Sequence, residues 1–527
     1  FVDKSGFIEE IMKRKGTEVF LFTRPRRFGK SLNMSMIDAF FNINYKDSDP
    51  GWFDGLKITE HPECMEQKNS SPVVSISMKG LDLDSMDSFL ETFADKIGRI
   101  CSEIKYLLDS DVDDVMLDDY DRLRKKNGSE SDLEGSLKLL TDILFQYHGE
   151  KAIELIDEYD NPIQNTYGKP LQQEIISFMR NLLTNALKSN ESLRFGIVTG
   201  VMQIAKESIF SGLNNLDVNN IFSSNFNEYF GFTESEVKDL LTYYGHPDKF
   251  DECRQWYDGY TFGNVDVYNP WSLLKYVDEG FKADRYWAGT SGNSIIQTLL
   301  DNADEGVWED LNRLARRESI SRGIDQYVVY SDIEQSTRAI YSIMAMSGYL
   351  KARQKGSGYE LSIPNDEMFS VYSDMLLKVT GNNDLGFRIG DLFTAMQEGD
   401  KEFMESSIHE LISETISAKV LDSEHAYQAY IIGMMMGFCG SYRIYGDTLE
   451  SGDGFADIIF EKQNGPGMNI IIELKRSDDE KDLEKDAQRA MDQIIDRNYM
   501  QGLEGKTMLY GVSFFKKKPY IISKEYY

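Results

Sequence analysis

The sequence predicts a multidomain α/β protein that opens on a parallel sheet covered by helices on both faces. Three observations predict it. Apolar runs of strand length alternate with segments of helical spacing over roughly the first 230 residues. Three of those runs end in polar or charged groups, where open parallel sheets gather their ligands. Finally, 527 residues with 41% apolar side chains exceed what one core organises and suggest three or four domains.

Taken in order, Phe1 to Ile11 reads as a short lead-in, without the charged and apolar blocks of a secretory leader. Val19-Phe20-Leu21-Phe22 reads as a buried parallel strand, Thr23-Arg24-Pro25-Arg26-Arg27-Phe28-Gly29-Lys30-Ser31 as a loop, and Leu32 to Phe41 as a helix. Strand, loop and helix in that order suit phosphate binding. Free N–H groups and the positive end of the helix dipole converge on an anion, Lys30 reaches the β/γ-phosphates, and the Ser31 hydroxyl ligates Mg²⁺. The first Gly of G-x-x-x-x-G-K-[ST] falls on Arg24, and Pro25 supplies no N–H, so the match is degenerate. A basic turn opening an ordinary helix is the competing reading.

Asp47 to Gly55 is a turn-rich break, Pro72 to Met78 a second strand, and Asp84 to Tyr147 largely helical, with the acidic run Asp109 to Asp119 expected as a solvated loop. Ala152 to Asp160 is a strand ending in carboxylates. Gln172 to Lys188 reads as a helix, and Phe195 to Gly200 as a further strand with a polar end. Opposite a phosphate loop, Asp157 is expected to hold the Mg²⁺ shell, Glu158 to polarise the attacking water, and Thr199 to sense the γ-phosphate or hold that water. A helix cap or surface turn is the alternative for each carboxylate taken alone. Arg180, on the helix between, is the candidate arginine finger.

Glu234 to Thr242 begins a helical, aromatic-rich stretch running to Tyr286-Trp287. Ser336 to Met346 reads as a helix followed by a hairpin that turns at Lys355 to Gly358 and returns through Tyr359 to Pro364. This is a winged-helix pattern, used either for packing and regulation or for DNA. Further on, Phe455 to Phe460 and Asn469 to Lys475 form a second hairpin about a turn at Asn464-Gly465-Pro466-Gly467. Alternation places Glu473 and Lys475 on one face, and pairing can bring Asp457 beside them. Asp457 and Glu473 would ligate one or two divalent cations, while Lys475 positions the nucleophile for attack on a phosphodiester. Met434-Met435-Met436 is expected in a core, and Lys516-Lys517-Lys518 in a solvated turn.

A net charge of −31 repels polyanions at long range, so any nucleic-acid contact must be local. Four dispersed Cys and five His suggest neither a disulfide framework nor a zinc site, and the free thiols suit a reducing cytoplasm. No apolar run approaches the roughly 18 residues a membrane span needs.

Arg24 to Leu32, then Leu155-Ile156-Asp157-Glu158-Tyr159-Asp160-Asn161-Pro162, resembles the bacterial AAA-ATPase-like family usually fused to a PD-(D/E)xK nuclease-like domain. Thr199-Gly200-Val201, Ser208 to Leu216, Phe230 to Thr233, Trp256 to Tyr260 and Tyr268 to Ser272 continue the likeness. The resemblance implies a P-loop NTPase parallel sheet (1–233), a helical lid (234–300), a winged-helix-like connector (301–385) and a C-terminal restriction-endonuclease-like α/β domain (386–527). It implies nucleotide contacts from Arg24, Arg26, Arg27, Phe28, Gly29, Lys30, Ser31, Leu32, Asp157 and Thr199. Catalysis would fall to Glu158 and Lys475, with metal at Ser31, Asp157, Asp457 and Glu473, and support from Glu424 and Gln493. The cofactors implied are ATP and Mg²⁺, with Mn²⁺ open at the second site. The implied partners are ATP and, through a local site, DNA or RNA, with no membrane and with an oligomer open. Gln203, Phe455 and Gln428 depart from the family, standing where Arg, Arg and His are expected. An alternative is a nucleotide-dependent switch or scaffold whose nuclease-like domain does not cleave.

Overall fold

The computed structural model describes residues 2–203, 216–287, 305–315, 317–326, 328, 337–356, 358–379, 385–415, 423–435, 442–446, 450–451, 454–462 and 467–526. Two units form, the first mainly from Phe1–Ala283 and Ile320–Pro364, the second mainly from Asn365–Tyr527.

In the first unit, β1 (Val19–Thr23), β2 (Val73–Ser77), β3 (Ala152–Asp157), β4 (Leu193–Gly200) and β5 (Leu216–Asn219) pair in the order β2-β3-β4-β1-β5, all parallel. β1 is buried throughout, as its uninterrupted apolar run requires of a strand covered on both faces. The strand order has a direct consequence for the site. Because β4 lies between β1 and β3, its C-terminal end falls between the loop that follows β1 and the acidic end of β3.

Two expectations are corrected. The lead-in is a helix, Gly6–Lys13, which buries Phe7, Ile8 and Ile11 and sets the Phe7 ring against Phe22, Phe226 and Phe230. The acidic run is not one loop. Asp113 accepts the N–H groups of Val115 and Met116 at 3.0 and 3.2 Å, opening a helix, Asp114–Arg124, that buries Tyr120 and Leu123 one turn apart.

The aromatic-rich stretch holds helices Glu234–Tyr243, Phe250–Tyr257 and Pro270–Asp278. Beside them lies a small antiparallel sheet of β6 (Phe232–Thr233), β7 (Tyr260–Phe262) and β8 (Val265–Tyr268), ordered β6-β8-β7. Next come β9 (Ile320–Arg322), helix Thr337–Met346 and the hairpin β10 (Lys351–Lys355) with β11 (Gly358–Ser362), ordered β10-β11-β9. This module belongs to the first unit, whereas the residues from Asn365 on belong to the second, so the division crosses the expected 301–385 connector. The physical reason is close packing. A side chain at Gly259 would lie 2.1 Å from the Pro364 carbonyl oxygen, and Arg353 pairs with Asp266 at 2.7 Å.

The second unit carries β12 (Tyr442–Gly446), a short pair of β13 (Glu450–Ser451) and β14 (Gly454–Phe455), then β15 (Ile458–Lys462), β16 (Asn469–Arg476), β17 (Thr507–Phe515) and β18 (Lys518–Tyr526). Its main sheet runs β12-β15-β16-β17-β18, with β16 and β17 parallel and the other pairs antiparallel. Helix Leu483–Asp496 joins β16 to β17 and packs onto the sheet where Gly511 leaves room. A Cβ there would lie 2.4 Å from the Ala487 carbonyl and 2.6 Å from the Met491 nitrogen. The hairpin expected about Asp457 to Lys475 is β15–β16. Of its turn, 464–466 lie outside the described residues, as do 208–215, 336 and 436.

Candidate functional site

The first site is assembled at the C-terminal edge of the parallel sheet. After Thr23 the chain turns through Arg27 (φ 70°) and Gly29 (φ 81°) before helix Lys30–Phe41 begins, so Gly29 occupies a left-handed position at the helix start. Lys30 is buried, and its ammonium donates to the carbonyls of Arg24 and Pro25 at 2.9 and 3.0 Å. Burial pulls its pKa down to about 8, opposed by the charges of Asp160, Asp157 and Glu158.

Asp157 is the hub. One carboxylate oxygen accepts the Ser31 hydroxyl at 2.6 Å; the other accepts the Thr199 hydroxyl and, at 3.1 Å, the N–H of Glu158. Three segments therefore meet on one carboxylate: the start of helix Lys30–Phe41, the end of β4 and the residue after β3. Glu158 is held in a left-handed conformation (φ 51°), with its carboxylate 3.6 Å from the exposed Lys79 ammonium at the end of β2.

The other loop residues divide between solvent and core. Arg24 is fully enclosed. Its guanidinium donates to the carbonyls of Thr23 and Asn219 at 3.0 and 2.6 Å and lies over the Phe230 and Phe262 rings. Burial pulls its pKa down to about 9. Phe28 is buried against Tyr260 and Phe262, Arg26 donates to Gln164, and the exposed Arg27 stacks on Trp271 at 4.2 Å. Leu32 is 74% exposed one residue past Ser31. Arg180 sits exposed on helix Gln172–Leu187, and Gln203 is buried.

Two groups of this site escaped sequence reasoning. Lys79 follows an apolar strand with no local mark of function. Asp160, buried, accepts the N–H groups of Val201 and Met202 at 2.8 and 2.9 Å and so fixes the chain leaving β4. The available signal was Gly200, where a Cβ would lie 2.8 Å from Asp160 Oδ1.

In the second unit Ile458 pairs with Ile472, which sets Asp457 opposite Glu473. Leu474 N–H donates to Asp457 Oδ2 at 2.6 Å, and Asp457 N–H donates to Glu473 Oε2 at 3.3 Å. Lys475 donates to Glu473 Oε1 at 3.1 Å. Glu473 is buried, which pushes its pKa up to about 7, with Asp457 adding to the rise and Lys475 opposing it. Lys475 is raised by Glu473 against the lowering effect of its own burial.

Glu424 opens helix Glu424–Met435, with one oxygen 3.9 Å from Lys475 and the other accepting Arg476 N–H at 3.1 Å. Gln493 donates to the Tyr499 hydroxyl at 3.2 Å, and Gln428 donates to the Asp457 carbonyl at 2.6 Å. Tyr499, which local pattern did not flag, is buried against Ala456 and Ile471 beneath this corner. Phe455 is exposed, and the Lys516-Lys517-Lys518 run turns β17 into β18 with Lys518 paired to Glu480.

A parallel sheet with a Lys-Ser loop facing an Asp-Glu strand end defines a nucleotide-binding class of domain, and a mixed sheet with Asp, Glu and Lys at one strand corner defines a nuclease-like one. Comparison agrees with both. Residues 1–210 match the family model described as predicted AAA-ATPase, and residues 422–524 match that of the PD-(D/E)XK nuclease superfamily. The chain thus carries an AAA-ATPase-like domain followed by a PD-(D/E)XK nuclease superfamily domain. A similar protein, "Uncharacterized protein in vnfD 5'region" of Azotobacter chroococcum mcd 1, is 28% identical over 387 residues, covering 72% of this chain and 66% of that protein. The chain therefore spans just under two thirds of that relative. No helix among the described residues is long and apolar enough to cross a membrane.

Proposed function

We propose that this chain binds ATP with Mg²⁺ around Lys30, Ser31 and Asp157, hydrolyses it, and thereby regulates a metal-dependent site for nucleic-acid phosphodiesters at Asp457, Glu473 and Lys475. The observation that carries the reading is the convergence of Ser31 and Thr199 on Asp157, close to a buried lysine. A carboxylate held by two hydroxyls is an oxygen-rich donor set suited to Mg²⁺. Asp157 and Ser31 would hold that ion, and a bound Mg²⁺ would neutralise phosphate charge.

Lys30 is poised to exchange its two carbonyl partners for phosphate oxygens. Glu158 is placed to take a proton from water, and its left-handed backbone holds it beside Thr199. At the second corner Asp457 and Glu473 fit a divalent cation, Mg²⁺ or Mn²⁺, and Lys475 would stabilise charge on phosphorus.

Mg-dependent ATP hydrolysis should be lost in Lys30→Ala, and Glu158→Gln should retain ATP binding while losing turnover. Hydrolysis unchanged by both variants would end the first half of the reading. For the second half, cleavage of single- and double-stranded DNA and RNA with Mg²⁺ or Mn²⁺ should vanish in Glu473→Ala. The exposed Phe455 and the Gln428 amide bound to the Asp457 carbonyl favour a second reading, a nucleotide-dependent switch that no longer cleaves. It predicts ATP binding with no cleavage of any of these substrates.

A further inference from the structure

At the N-terminal edge of the parallel sheet, the end away from the phosphate loop, a cavity of about 460 Å³ opens beneath helix Gly6–Lys13. Its floor is apolar, from Ile11, Phe20 and Phe195, and its volume lies in the range of small-molecule pockets. Phe20 is three residues from Thr23, so the cavity lies roughly 10 Å along β1 from the loop and is a separate place.

Its charge is unlike that of the protein. On a chain of net charge −31, Arg14, Lys15 and Arg194 border one cavity, Arg14 being paired with Glu10 and Asp217 at 3.3 and 3.4 Å. Arg194 is the decisive group. Its half-buried guanidinium is oriented by Ser70, Ser71 and Gln67 at 3.1, 2.8 and 2.9 Å and by the Phe41 ring, all neutral. Among the described residues no carboxylate lies within ion-pairing distance of it, and three hydrogen bonds leave part of its five-donor fork for a ligand. Lys15, exposed on the turn after helix Gly6–Lys13, likewise has no ion pair among the described residues. Glu9 and Glu63 also border the cavity, but Glu9 is held by Lys13 at 2.5 Å and by His61 at 3.1 Å. Glu150 acts on the Arg194 guanidinium only from beyond ion-pairing distance, and a partly desolvated cation without a direct ion pair is costly, so an oxyanion in the cavity would supply the missing contact.

We propose that this cavity is a second ligand site, taking a small organic oxyanion whose charged group meets Arg194 and Lys15 and whose apolar body lies on Phe20 and Phe195. The proposal does not depend on the function assigned to the phosphate loop. The test uses the full chain carrying Lys30→Ala, to silence the loop, with inorganic phosphate, phenyl phosphate and citrate titrated by calorimetry. Saturable binding is expected, tighter for phenyl phosphate than for phosphate; preference for citrate would assign a carboxylate ligand instead of a phosphate ester. Arg194→Met should weaken binding at least about tenfold, as loss of a charged hydrogen bond implies. Because Arg194 also holds Ser70 and Ser71, Lys15→Glu on the exposed turn is the second variant, expected to weaken binding about tenfold without affecting folding. No saturable binding of any of the three, or binding that both variants leave unchanged, overturns the proposal.

Discussion

Glu154 gives the sharpest physical test of the first unit. It sits in the middle of β3, three residues before Asp157, almost wholly buried, with no hydrogen-bond partner for either carboxylate oxygen among the described residues. Burial first, and then the charge of Asp142, push its pKa well above the ordinary 4.5, against a lowering effect of Lys138. The native state therefore keeps the proton over a pH range in which the unfolded chain releases it. The unfolded state binds fewer protons there, so stability is fully present below about pH 4.5 and falls as pH rises toward the native pKa. The slope is about 1.4 kcal/mol per pH unit. Glu154→Gln cannot ionise, yet keeps the shape and the unsatisfied polar atoms. Urea titrations at pH 5, 6, 7 and 8 should show parent and variant closest at pH 5, with the variant gaining on the parent progressively as pH rises. A difference that does not change with pH would refute the assignment of a protonated carboxyl to β3.

Gly511→Ala should cost about 1–3 kcal/mol or more, because both colliding atoms are backbone atoms of helix Leu483–Asp496. Gly16→Ala, with nothing within 4 Å of the added carbon, should stay within about 0.5 kcal/mol of the parent, both glycine variants being compared with the parent by urea titration. Asp113→Ala removes both N-cap bonds of helix Asp114–Arg124 and should cost about 0.5–2 kcal/mol, measured by urea titration. Lys475→Met strips Glu473 of its cation. It should destabilise the second unit by about 2 kcal/mol at pH 8, where the carboxylate ionises, and far less at pH 5, where it keeps its proton.

Much of this architecture is legible locally. The apolar run, loop and helix about Lys30 fall where periodicity sets them, because β1 is buried on both faces and the following helix starts at a glycine. The β15–β16 hairpin is legible for the same reason: alternation fixes which side chains share a face, and pairing fixes Asp457 opposite Glu473. What escaped local reading has two sources. In helix Asp114–Arg124 six charged residues surround Tyr120 and Leu123, so charge density masks the two that anchor it. Lys79, Asp160 and Tyr499 gain their partners, Ala456 and Ile471 in the case of Tyr499, from the order of strands in a sheet or the docking of a distant segment, which no neighbouring residue encodes. Arg24 is the instructive case. Its place in the motif suggests an arginine offered to phosphate, yet it is enclosed between two phenylalanine rings and donates to the carbonyls of Thr23 and Asn219 instead.

The two candidate sites also differ in how their carboxylates are held, and that difference has chemical consequences. Asp157 is gripped by hydroxyls and an amide, groups that orient it while leaving its charge unneutralised. A cation arriving there displaces neutral donors. Glu473 is already compensated by Lys475, and its raised pKa means that near neutral pH it shares its position with a proton. A cation there must compete with both. On the proposed reading the first site would take a divalent ion by displacing neutral donors alone, whereas the second would need an added source of binding energy, which a polyanionic substrate bringing phosphate oxygens to the same ion would supply.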